Sequence, residues 1–318
     1  MVDGAQILSI FPEKMRSRWR AVSGQAEWLQ EIRLRAGKEI LVYIDGTEYY
    51  LDGSGRPTLL RGQAERIGAG ELEELISYVC ASSLYAYEDE ISRGYLTLPG
   101  GHRMGLVGEA VLEGGEQIRT LRHISGVNIR IAHEIIGAAD GLLPELFRNG
   151  QLLNTLLLSP PGCGKTTLLR DLVRQLSDGS AYAGGMTVGL VDERSEIAGC
   201  FAGIPQNDVG MRTDVLDGCP KAEGMLLLIR SMAPQVIAVD ELGDAQELWA
   251  VRQALKCGCR ILATMHAGSC DEAAERLAGG GRAGPGRIFS RYVMLARREG
   301  RCVVDAVLDR DFRFVYPQ

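Results

Sequence analysis

Two patterns of hydrophobic and polar positions divide the chain. In residues 25–51, short β-forming runs alternate with glycine turns. Ile32 and Leu34 alternate with Arg33 and Arg35, and the run 40–44 passes through Asp45-Gly46 to 49–51, which predicts a hairpin. From about Glu71, residues Leu72, Leu75, Ile76, Val79 and Cys80 recur at helical spacing and predict one apolar face. Between Gly94 and Arg130 the pattern predicts short strands broken at Gly94, Gly100-Gly101, Gly105, Gly108 and Gly114-Gly115. A glycine-bearing stretch, 136–150, contains a short helix around Pro144. Beyond it the pattern changes. Apolar strands (152–158, 188–191, 236–239, 260–263) alternate with helical segments (165–176, 223–232, 245–257), the order of a parallel sheet covered by helices. Near the end, 289–295 and 302–308 flank Arg297-Arg298-Glu299-Gly300 and predict an antiparallel hairpin. The run 279–287 is too glycine-rich to pack and reads as a mobile loop.

These patterns predict a small α+β domain over 1–135, a linker over 136–150 and an α/β domain over 151–318. A length of 318 residues fits two domains. Composition adds exclusions. Lys and Arg number 15 against 19 Asp and Glu up to residue 135, and 20 against 22 beyond it, so neither half is a basic module and no nucleic-acid partner is expected. None of the eight cysteines forms a C-x-x-C pair, and there are only four histidines. The thiols therefore read as ordinary reduced cysteines rather than zinc ligands. No apolar run approaches the roughly 20 residues that cross a bilayer, and residues 1–20 lack a signal-peptide core. The expectation is a cytoplasmic chain that reaches any membrane through a partner.

The chemistry centres on Ser159-Pro160-Pro161-Gly162-Cys163-Gly164-Lys165-Thr166-Thr167, which joins an apolar strand to a helix with Leu168, Leu169, Leu172, Val173 and Leu176 on one side. Strand, glycine loop, Lys-Thr and helix stand in the order that a phosphate-binding loop requires. Glycines let backbone N–H groups turn toward phosphates, and the helix N-terminus adds partial positive charge. Lys165 is expected to bridge the β and γ phosphates of ATP, and the Thr166 hydroxyl to ligate Mg²⁺. Ser159 stands where the pattern has its first glycine, and two prolines fix the entry.

Three further strand ends carry chemistry. The strand 236–239 ends in Asp240-Glu241; alone this is a solvated strand end, but in this series the first acid backs Mg²⁺ through water and the second positions the attacking water. The strand 188–191 ends in Asp192-Glu193-Arg194-Ser195-Glu196, from which Glu193 and Glu196 are candidate assistants; the structural alternative is a helix start with favourable acids. The strand at 260–263 leads into Thr264-Met265-His266, and His266 is a candidate sensor of the γ phosphate.

Together these elements resemble the secretion ATPases of type II secretion and type IV pilus systems. The box Asp192–Glu196, the segment Leu228-Ile229-Arg230-Ser231-Met232-Ala233-Pro234-Gln235-Val236-Ile237 and Thr264-Met265-His266-Ala267 match that superfamily, which usually carries Gly-Glu where this chain has Asp240-Glu241. Longer phrases are similar to the stage III sporulation protein AA family of endospore formers. They include Glu31-Ile32-Arg33-Leu34-Arg35-Ala36-Gly37, Val191-Asp192-Glu193-Arg194-Ser195-Glu196-Ile197-Ala198-Gly199, Pro205-Gln206-Asn207-Asp208-Val209-Gly210 and the run from Arg212 to Ala222. The resemblance implies a RecA-like, secretion-ATPase-like P-loop domain hydrolysing ATP with Mg²⁺. It also implies a hexameric ring, membrane partners in a sporulation channel complex and a place on the mother-cell side of the membrane. It further suggests that arginines reach the nucleotide: Arg122, Arg130 and Arg212 are candidates, with Arg103 and Arg230 beside them. An ATP-binding scaffold with little turnover and a nucleic-acid motor are the rival readings. The intact Asp240-Glu241 pair speaks against the first, and the charge balance against the second.

Overall fold

The computed structural model describes residues 3–81, 87–114, 117–278, 288–298 and 301–316. The predicted glycine-rich loop at 279–287 and the turn at 299–300 lie outside them. The chain divides into two compact units, Met1–Glu134 with Gly199–Gln206, and Ile135–Ala198 with Asn207–Gln318. The stretch read as a linker thus counts with the second unit, whereas Gly199–Gln206, late in the sequence, counts with the first.

The first unit carries helices α1 (Gly4–Ser9), α2 (Arg16–Ser23), α3 (Ala69–Val79) and α4 (Glu88–Ser92). Its strands are β1 (Leu29–Arg35), β2 (Leu41–Ile44), β3 (Thr47–Leu51), β4 (Pro57–Thr58), β5 (Tyr95–Thr97), β6 (Arg103–Glu113) and β7 (Gln117–Arg130). They form an antiparallel sheet in the order β4-β3-β2-β1-β7-β6-β5. Alternation sends Ile32, Leu34, Met104, Leu106, Val127 and Ile129 into one core with Phe11, Trp19, Leu72 and Leu75 from the helical segments. The predicted hairpin is β2–β3, with Asp45 and Gly46 both at positive φ (48° and 73°) as a two-residue turn needs. Gly94, Gly100, Gly101 and Gly114 stand at strand boundaries with positive φ, as expected, but Gly105 and Gly108 do not break a strand. Gly105 lies inside β6 and Gly126 inside β7. Gly108 sits at a bulge where a Cβ would meet the Arg122 carbonyl at 2.7 Å, so glycine there permits close strand approach rather than a turn. Within this unit the Gly100 N–H donates to the Gln206 side-chain oxygen at 2.9 Å, one tie of the late segment to its sheet.

The second unit carries α5 (Lys165–Asp178), α6 (Lys221–Ser231), α7 (Ala245–Lys256) and α8 (Cys270–Ala278). Its strands are β8 (Phe147–Arg148), β9 (Gln151–Leu152), β10 (Thr155–Ser159), β11 (Val188–Asp192), β12 (Thr213–Asp217), β13 (Val236–Val239), β14 (Arg260–His266), β15 (Arg291–Arg298), β16 (Arg301–Asp309) and β17 (Phe314–Tyr316). The main sheet runs β12-β11-β13-β14-β10-β15-β16-β17. It is parallel from β12 to β15 and antiparallel through β16 and β17. β10, β11 and β13 are buried along their whole length, as strands covered on both faces must be. The predicted strand at 152–158 is two elements: β9 pairs with β8, and β10 starts anew at Thr155. Between them, the Asn154 side chain accepts from the Ile261 N–H at 3.1 Å and its carbonyl accepts from Ser290 and Arg291. The predicted terminal hairpin is β15–β16, and β15 also pairs in parallel with β10.

Candidate phosphate-loop and acidic strand-end site

Register decides what meets what. β14 lies between β10 and β13, with Ser159 beside His266 and Val239 beside Ala263. One step past that second pair, Asp240 and Thr264 face each other. The C-terminal ends of these parallel strands open along one edge, where ligands of such sheets bind.

Gly162 and Gly164 have φ of 74° and 73°, the left-handed conformation that lets successive N–H groups point one way before α5 begins at Lys165. Ser159 has a positive role. Its fully buried hydroxyl donates to the Pro160 carbonyl at 2.7 Å and accepts from Lys165 Nζ at 3.1 Å. Lys165 also donates to the Ser159 and Pro160 carbonyls and lies 2.9 Å from His266 Nδ1. Burial lowers its pKa, opposed by the nearby Asp240 and Glu241. An ammonium has only donors, so Nδ1 accepts; Nε2 then carries the proton and donates to Glu241 Oε1 at 2.8 Å.

Asp240 and Glu241 are tightly framed. Asp240 Oδ2 accepts from the Thr166 hydroxyl at 2.7 Å, and Oδ1 takes the Thr264 hydroxyl. Glu241 sits at φ 52°, a conformation non-glycine residues seldom adopt. Its N–H donates to Thr264 Oγ1 at 2.9 Å and its carbonyl accepts from Lys221 Nζ at 2.6 Å, which hold the backbone there. Burial would raise the Glu241 pKa, but His266, Arg194 (3.1 Å) and Lys165 outweigh it, so the carboxyl is held below its usual range.

Asp192, 2% exposed, accepts the N–H groups of Glu196, Ile197 and Ala198 at 2.8–3.0 Å and so folds the acidic box around itself. Burial outweighs these bonds and pushes its carboxyl up to about 6. Glu193, Arg194 and Glu196 line a small cavity with Lys221, Asp240 and Glu241. Lys221, Arg194 and Thr264 stood in the quoted sequence phrases without a role. Lys221 joins Glu193 (3.5 Å) to Glu247 (2.8 Å), contacts across separate elements that spacing does not reveal.

The arginines fare differently. Arg212 lies at the far end of α5 from Lys165, donating to the carbonyls of Ser177 (2.9 Å) and Asp178 (3.4 Å). There it serves as a C-terminal cap of α5, drawn by free carbonyls and the negative helix end, away from the loop at Lys165. Arg230 bonds the Leu226 carbonyl within α6. Arg122 and Arg130 are exposed on β7 of the first unit, and Arg103 stacks on Tyr95 at 3.5 Å.

The donor set suits Mg²⁺ and a triphosphate. A hydroxyl and a carboxylate meet at Thr166–Asp240 beside a lysine. Among the described residues no group of three or more His, Cys, Asp or Glu is placed to hold a metal alone.

The family model for sporulation stage III, protein AA matches residues 3–314. The chain belongs to the stage III sporulation protein AA family. It is 39% identical over 308 residues to the stage III sporulation protein AA of Bacillus subtilis (strain 168), covering 96% of this chain and 95% of that one. Among solved structures, it resembles the Legionella pneumophila ATPase DotB (TM-score 0.59, 18% identity, 95% of this chain and 83% of that one). It also resembles the pilus retraction motor PilT solved with bound ADP (0.59, 15%, 90% and 80%). The fold is thus that of secretion-motor ATPases. Among the described residues no helix is long and apolar enough to cross a membrane.

Proposed function

We propose that the second unit binds and hydrolyses ATP with Mg²⁺. The observation that carries this is the convergence of Lys165, Thr166, Asp240, Glu241 and His266 through direct hydrogen bonds at adjoining strand ends. The loop N–H groups and Lys165 hold the phosphates, and Thr166 with Asp240 holds the metal. The bound Mg²⁺–triphosphate supplies an electrophilic phosphorus and a leaving group. Glu241, kept anionic by its neighbours, orients water and accepts its proton. His266 links the phosphate-binding lysine to that acid and so reports on the γ phosphate. Glu193 and Glu196 assist from the same cavity.

Family membership and the fold support a wider reading. The protein energises the channel between mother cell and forespore, working as a hexameric ring on the mother-cell side beneath membrane components. Arg122 and Arg130 reach a nucleotide in that assembly. One experiment on purified protein tests the core. Glu241→Gln should retain ATP binding while turnover falls about 100-fold or more, and light scattering should show it assembling into a ring with ATP. Undiminished turnover in the variant would remove Glu241 from the chemistry, and a monomer throughout would remove the ring.

A further inference from the structure

Lys221 is the first residue of α6, and its side chain is only 11% exposed. A cation there opposes the positive end of the helix dipole, where an acid would be the stabilising choice. Burying it among carboxylates adds little stability either, because the cost of desolvating the charges offsets their attraction. What the position offers is reach. Nζ donates to the Glu241 carbonyl at 2.6 Å, pairs with Glu247 Oε1 at 2.8 Å and lies 3.5 Å from Glu193 Oε2. An ammonium has three N–H groups, and these three oxygens occupy them, which leaves none for a phosphate or a water.

We propose that Lys221 is a positioning residue for hydrolysis: it fixes the peptide that follows Glu241 and thereby aims the Glu241 carboxylate. This rests on the ATPase reading above. Glu241 is held at φ 52°, a left-handed conformation that its side chain disfavours. On the N-terminal side, its N–H donates to Thr264 Oγ1 at 2.9 Å and Asp240 Oδ1 at 3.1 Å. On the C-terminal side, Lys221 takes the carbonyl. The other oxygen of its partner Glu247 accepts the N–H groups of Gly243 (2.6 Å) and Asp244 (3.2 Å). Lysine and glutamate thus clamp the turn 241–244 through its backbone. In that conformation the Glu241 carboxylate meets His266 Nε2 at 2.8 Å and Arg194 at 3.1 Å. None of the three oxygens on Lys221 belongs to a group assigned to the phosphates or the metal. Lys221 therefore governs turnover rather than substrate binding.

Steady-state hydrolysis of MgATP by the full chain tests this. Lys221→Met should lower kcat about 10- to 100-fold, as a misplaced catalytic group does, with KM and the Kd for MgATP unchanged. In a Glu241→Gln background the same substitution should lower kcat no further, because no carboxylate is left to aim. A role in folding alone would instead lower kcat by the same factor in both backgrounds. Lys221→Arg keeps a charge between Glu193 and Glu247 and serves if Lys221→Met does not fold. Its planar fork cannot place one N–H on the carbonyl as the ammonium does, so kcat should still fall at unchanged KM. Wild-type kcat in a folded variant, a rise in KM that accounts for the loss, or an equal loss in the Glu241→Gln background would overturn the role. No hydrolysis by the wild-type protein would remove the ATPase reading and this role with it, an outcome seen before any variant is made.

Discussion

Asp171 illustrates how one charge in a helix can organise its surroundings. It lies on α5, 3% exposed, and accepts the N–H groups of Gly137 (3.2 Å) and Ala139 (2.8 Å) as well as Arg174 and Gln175 side chains. Burial would raise its carboxyl, but those donors outweigh it and hold it below the ordinary carboxylate value. A depressed carboxyl contributes stability above its unfolded pKa and loses it as pH falls through the folded value. Asp171→Asn should therefore cost about 2–4 kcal/mol in denaturant unfolding at pH 7, since it breaks a buried ion pair and puts an amide against buried N–H donors. Helical spacing identified α5 but not this tie: a charged position in an amphipathic helix reads as solvent-facing until the segment 137–139 is known to lie over it. Lys221 has the same history.

At the scale of elements, α5 is held at both ends. Its N-terminus emerges from the glycine loop that ends at Gly164. At its C-terminus Arg212 takes two carbonyls, the Arg212 N–H donates to Ser177 Oγ at 2.7 Å, and the Met211 N–H donates to Asp178 Oδ1 at 2.8 Å. Arg212→Ala should lower stability by about 1 kcal/mol and leave the KM for ATP unchanged. A large rise in KM without loss of stability would return Arg212 to the nucleotide. β12 escaped the sequence pattern for a related reason. It is an edge strand, half-buried along its length, and Asp214 and Asp217 interrupt the apolar run that marks β10, β11 and β13. Only its register with β11, ending at Asp192 beside Asp217, defines it. α5, α6 and α7, by contrast, follow the predicted spacing to within two residues, because each buries one continuous stripe.

For the whole molecule, one buried histidine adds to the loss of stability in acid. His102 in the first unit is 1% exposed; its Nδ1 accepts the Ala132 N–H at 3.1 Å, and burial, with His133 nearby, lowers its pKa to about 4. The unfolded chain takes up this proton near pH 6.5, whereas the folded chain resists it until about pH 4. The stability that His102 protects is complete above pH 6.5 and lost as pH falls through that window, up to about 3 kcal/mol. Thermal unfolding of wild type and His102→Gln across pH 7 to 4 checks this: the variant should show a shallower slope. An identical slope would mean that His102 titrates freely. The sequence by itself determined the glycine loop before α5, the alternation of apolar strands and helices that marks a parallel sheet, the two acidic strand ends and Thr264-Met265-His266, because each is a local pattern of neighbours in the chain. Tertiary structure alone decided that Ser159 tethers Lys165, that Lys221 and Arg194 frame Glu241, that Arg212 caps a helix and that Gly199–Gln206 joins the first unit. The reason is physical: periodicity registers burial within one element, whereas a charged side chain takes whichever partner strand register and helix packing bring within about 3 Å.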